Sequence, residues 1–183
     1  MRGKFAGVLL ATALVLPAGL MASPLGAAAA GTVSKTATGT ATFSPALPAV
    51  SSTTKNKPTV TIKNGKLGGC TTGGVTGGTL TATLKFGLAS NCKSLLAGGA
   101  TNTKGTEKIT WNTKATSTVT LSLVGVTKKP TNINATGPVT AGLFKGEKQS
   151  GVLVFTLPAG ACTSKPLSTV TFKVLPTSKV TIK

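Results

Sequence analysis

Enzymes usually move protons with groups that titrate near the working pH, and histidine, aspartate and glutamate supply most of them. This 183-residue chain has no histidine, no aspartate and no tyrosine, and its only side-chain carboxylates are Glu107 and Glu147. A Ser-His-Asp arrangement therefore cannot be assembled. Paired carboxylates for glycoside hydrolysis would have to be Glu107 and Glu147, which lie in separate segments with polar surroundings. Next to Lys108 and Lys148, both read as solvated surface groups. A buried glutamate could instead assist a Lys–Asn isopeptide crosslink, as in some Gram-positive surface sandwiches. In so Ser- and Lys-rich a chain, a Ser-Lys dyad can always be imagined and carries little information. The Gly-rich stretch over 68–78 lacks the strand, G-K-[ST] and helix context of a phosphate loop. No catalytic and no cofactor-binding residue is assigned. The expectation is a non-enzymatic protein, with a secreted hydrolase or toxin-like factor built on an unorthodox Lys/Glu site as the alternative.

Cysteine is the other reactive residue, at Cys70, Cys92 and Cys162. Without histidine, aspartate or a Cys-x-x-Cys spacing these do not make a metal site. In an oxidising compartment three cysteines allow one intrachain bridge and leave one thiol. Cys70–Cys92 closes the shortest loop and is the first choice. Cys70–Cys162 is the rival, because a hairpin turning near Val75 would carry Cys70 and Cys92 to opposite ends of its arms.

Lysine dominates the charge, with 20 Lys+Arg against 2 Asp+Glu. Lys63, Lys85, Lys108 and Lys173 each share the polar parity of an alternating segment and point away from its apolar row. On neighbouring strands they would form a stripe attractive to anionic cell-envelope polymers, with an affinity that falls as salt rises. Nucleic acid is disfavoured, since recognition there leans on arginine and exposed aromatics. The only arginine is Arg2, and Trp111 sits on an apolar parity. The competing reading is a solubilising Thr/Lys coat without a specific partner.

The segments that must position these groups alternate with a period of two, which places successive side chains on opposite faces of a strand. Residues 59–63, 80–86, 108–112, 118–123 and 169–174 all follow this pattern. Residues 151–157 are apolar on both faces and belong in a central position or under the loops that cover a sheet. Weaker strands are expected over 38–43, 139–144 and 179–182, and one short helical turn over 90–97. Glycine pairs and Pro-Gly clusters punctuate the chain between these runs. Eight or nine short strands so spaced suggest an all-β antiparallel sandwich, Ig-like or jelly-roll-like, with a β-barrel as the alternative. The 40% hydrophobic content argues against general disorder.

The N-terminus has a basic start at Arg2 and Lys4, an apolar run broken by Pro17, and small residues over 27–30. That is the pattern of a secretory signal peptide, too short for a membrane span. The expected organisation is a signal peptide over 1–30, a flexible lead-in over 31–38 and one domain over 39–183. Cleavage would remove Arg2 and Lys4 and take the net charge from +18 to +16. Secretion, with free release or loose retention at the cell wall and no transmembrane segment in the mature chain, is the expected location. The sequence assigns no oligomeric state.

Further landmarks are Gly105-Thr106-x-x-Ile109-Thr110-Trp111-Asn112, then Ser117-Thr118, then Gly137-x-Val139-Thr140-x-Gly142-x-Phe144-x-Gly146. With the leader and the three cysteines, they resemble a group of secreted actinobacterial proteins of unknown function over most of residues 60–175. The resemblance implies export from a high-GC Gram-positive cell and a compact β domain, and it carries no activity. Physically, Trp111 fits a core anchor and the glycines over 137–146 suit turns and close backbone approach.

Overall fold

The computed structural model describes residues 31–97, 102–126 and 129–183, so the signal peptide expected over 1–30 lies outside the described residues. Ten strands follow in order: β1 (Thr32–Ser34), β2 (Thr36–Leu47), β3 (Thr59–Gly68), β4 (Gly77–Lys85), β5 (Thr103–Trp111), β6 (Thr116–Val126), β7 (Lys129–Gly142), β8 (Lys148–Thr156), β9 (Leu167–Val174) and β10 (Val180–Ile182). A single helical turn, α1 (Cys92–Leu96), lies between β4 and β5. Asn91 caps it, its side chain accepting from the Ser94 N–H while the Ser94 hydroxyl accepts from the Asn91 N–H.

All the pairings are antiparallel, and β2 to β8 run as a meander in which each strand pairs with the next. β9 then pairs with both β8 and β2 and closes an eight-stranded barrel. The two-layer sandwich was the leading expectation; the barrel, its alternative, is the architecture found. Closure follows from β8. Its C-terminal half, Leu153 to Thr156, pairs with β9, while Gln149 and Ser150 pair with β10, which in turn carries β1. A segment apolar on both parities suits a strand with three neighbours, and β8 is that strand. Residues 31–38, expected as a flexible lead-in, instead hold β1 and the start of β2.

Strand parity decides what faces inward. Outward positions are threonine-rich, as in the lateral row Thr169, Thr42, Thr61, Thr83, Thr106 and Thr120, which crosses six adjacent strands. Such β-branched neighbours pack well on a pleated, half-exposed surface. A barrel facing lipid would carry an apolar band there instead. Among the described residues, no helix is long and apolar enough to cross a membrane.

Inward residues are aliphatic and aromatic, and they fill both ends of the lumen. At one end Trp111 is buried with its ring edge-on to Phe144, centroids 5.4 Å apart, and its indole N–H donates to the Ser117 hydroxyl at 2.8 Å. Trp111 is thus the core anchor expected of it. Further along the barrel, opposite Gln149, Gly137 is needed, since a Cβ there would lie 2.0 Å from the Thr120 carbonyl oxygen. At the other end Leu47, Leu84 and Leu167 are fully buried, and Phe43 meets Phe86 edge-on. There the Cys92–Cys162 disulfide ties α1 to the β8–β9 connection.

This pairing corrects both bridges expected from the sequence, Cys70–Cys92 and Cys70–Cys162. The turn over 69–76 joins β3 to β4 and keeps Cys70 at the Trp111 end of the barrel, its N–H bonded to the Thr76 carbonyl. Strands of this length separate the two ends by roughly 30 Å. Cys92 donates its backbone N–H to Pro48, and Cys162 accepts from Val50, so the segment after β2 holds both at the far end. Cys70 remains a free, half-buried thiol.

Candidate functional site

Two polar features stand out against this Thr-coated, aliphatic-filled barrel. The first is on the outer wall. Lys63 on β3, Lys85 on β4, Lys108 on β5 and Lys173 on β9 are all exposed, as their parity requires. Lys63 and Lys108 come together on the rim of a shallow hollow of about 550 Å³, whose floor includes Thr61, Thr81, Thr83 and Thr106. Lys85 lies directly across from Lys104 of β5, a pairing of like charges. Lys173 stands apart, since β2 separates β9 from β3.

Two lysines of this wall were missed in the sequence. Lys104 shares the parity of Lys108, so its signal was present in the alternation of β5. Lys66 was hidden by a bulge. Asn64 has a positive φ of 55°, and the β3–β4 register slips between Ile62 and Gly65. The slip returns Lys66 to the outer face, opposite Thr79 and Thr38.

The second feature is inside. Glu107, expected as a solvated group beside Lys108, is 4% exposed and points into the lumen. It lies on β5 between Gly105 and Ile109, all of one parity, so Ile109 and Trp111 could have been used to place it. Gln149 of β8, equally buried, reaches Glu107 from three strands away around the barrel. Its amide nitrogen lies 3.2 Å from each carboxylate oxygen. Burial pushes the Glu107 carboxyl up to about 7 from an ordinary value of 4.5, and the Gln149 amide only partly offsets this. The other Gln149 side-chain atom, Oε1, is buried with no hydrogen-bond partner among the described residues.

Glu147 does not join Glu107. It sits in the β7–β8 turn, where its backbone accepts from the Val139 N–H, and it does not line the lumen. Among the described residues, the lining around Glu107 includes neither lysine nor serine nor asparagine. Among those residues, the groups for an isopeptide bond or a nucleophilic dyad are thus not beside it. No cluster of three or more metal-ligating side chains occurs among the described residues. No family model, no curated protein and no solved structure compared with the chain matches it.

Proposed function

We propose that the protein is an exported, non-enzymatic binding domain of the cell envelope that holds anionic polymers on the wall formed by β3, β4 and β5. The observation that carries this reading is that Lys63 and Lys108 border one open, threonine-floored hollow on β3–β5, while Lys85 and Lys104 stand paired further along the same outer face of β4 and β5. Like charges directly opposite each other weaken a sheet, so the Lys85–Lys104 pair is a cost to folding that a bound anion would relieve. With only Glu107 and Glu147 as side-chain carboxylates, and Glu107 inside the barrel, the chain has few anions of its own to compete for these lysines. The leader pattern and the Cys92–Cys162 bridge support export to an oxidising setting.

Co-sedimentation of the purified protein with isolated cell envelopes tests the proposal. At about 50 mM salt the protein should pellet with the envelopes, and at about 500 mM most should stay in the supernatant, because the attraction works through released counterions. Equal recovery at both salts, or none at either, rejects it.

A further inference from the structure

The lumen contains a cavity of about 50 Å³ that the wall does not explain. Apolar side chains form nearly all of its lining, among them Phe43, Leu80, Leu121 and Phe172, and the small residues Ala37 and Ala41 leave room between them. Glu107, Gln149 and Thr103 are the polar residues of its lining. An apolar void of this kind would stay dry, whereas one with an unmet polar group calls for an occupant. The need here is one-sided. An ionised carboxylate offers about four lone-pair positions and an amide oxygen two. In the hydrogen bonds described around Glu107, its two carboxylate oxygens share the Gln149 amide N–H₂. The Gln149 Oε1 acceptor has nothing. The patch therefore has acceptors in excess, and one of them is a buried negative charge whenever Glu107 is ionised.

We propose that this cavity is a binding site for a short primary ammonium compound, whose –NH₃⁺ group donates to Glu107 and to Gln149 Oε1 while its alkyl part lies among the lumen side chains. An ammonium supplies three donors and a compensating charge, where an alcohol supplies one donor and no charge. Volume limits the chain. A cavity of roughly 150 Å³ accepts benzene, so a void of about 50 Å³ takes only a few heavy atoms. Methyl- and ethylammonium fit that limit. Among the described residues, Glu107 is the one titratable side chain in the lining, and the pH response of binding is read through it. Because the cation prefers the ionised carboxylate, affinity rises between pH 5 and pH 8, as the carboxyl near 7 loses its proton.

The test is NMR titration of the folded protein, following the Gln149 side-chain amide, with ethylammonium, ethanol and acetate at pH 5 and pH 8. The expected result is saturable perturbation by ethylammonium, at least fivefold tighter at pH 8 than at pH 5, weaker binding of ethanol and none of acetate. In Glu107→Gln, whose neutral side chain keeps the shape, the preference for ethylammonium over ethanol and its pH dependence should both vanish. Three results overturn the proposal: no saturable binding of ethylammonium, which leaves water as the occupant; equal binding of all three probes; or an unchanged preference in Glu107→Gln. None of these bears on the outer wall, which is read by envelope binding.

Discussion

Glu107 shows how strongly one parity position governs a residue's chemistry. On the outer face of β5 it would be a solvated partner for lysine. On the inner face it is a carboxyl among hydrocarbon, and desolvation pushes it up to about 7. Its folded-state value lies above the unfolded value of 4.5, so the native state holds the proton more tightly than the unfolded chain. That contribution to stability is full below about pH 4.5 and is lost as pH rises through about 7. The interval corresponds to about 3 kcal/mol. The chain has no histidine to mask the effect. Urea unfolding should therefore give a stability that falls by about 3 kcal/mol from pH 4.5 to pH 8. Glu107→Gln should flatten the curve over this interval and make the variant more stable than the parent at pH 8. A parent curve already flat would mean that the carboxyl is hydrated.

At the scale of elements, the alternating runs were legible because a half-buried strand must repeat every two residues. The cores of β3, β4, β5, β6 and β9 coincide with them. Less was legible wherever that rule was broken or said nothing. The bulge at Asn64 moved Lys66 to a parity that counting could not supply. Most of β7 before Val139 mixes asparagine, threonine and glycine, and its pairing comes from two flanking strands rather than from its own pattern. Sandwich and barrel share the same alternation, and only the double pairing of β9 separates them. The disulfide depended on which ends of the strands meet, a property of the closed sheet. Cys92 and Cys162 are 70 residues apart in sequence, and a bridge closing so long a loop contributes about 4 kcal/mol in the chain-entropy view. Replacing both with alanine should lower the unfolding free energy by about 2–4 kcal/mol, whereas Cys70→Ser should retain the bridge and lose the single free thiol. Peptide mapping without reductant checks the pairing, and a linked Cys70 peptide would contradict it.

For the molecule as a whole, closure of the sheet sorts its chemistry into two compartments. Threonine and lysine form the outside, where charges stay solvated and act at a distance. Inside, the one carboxyl is held against hydrocarbon and answers to pH and to small donors. The proposed envelope attachment belongs to the outside and depends on where the lysines stand rather than on how many there are. Binding to a soluble anionic polymer such as polyphosphate, measured over a range of salt concentrations, separates those two possibilities. Changing Lys63, Lys85, Lys104 and Lys108 together to glutamine should reduce the slope of log K against log salt by about 3–4, close to one for each phosphate that the variant no longer neutralises. Changing Lys55, Lys57, Lys93 and Lys165, also exposed and equal in charge, should reduce it by less than about one. Equal reductions of slope in the two variants would contradict the account.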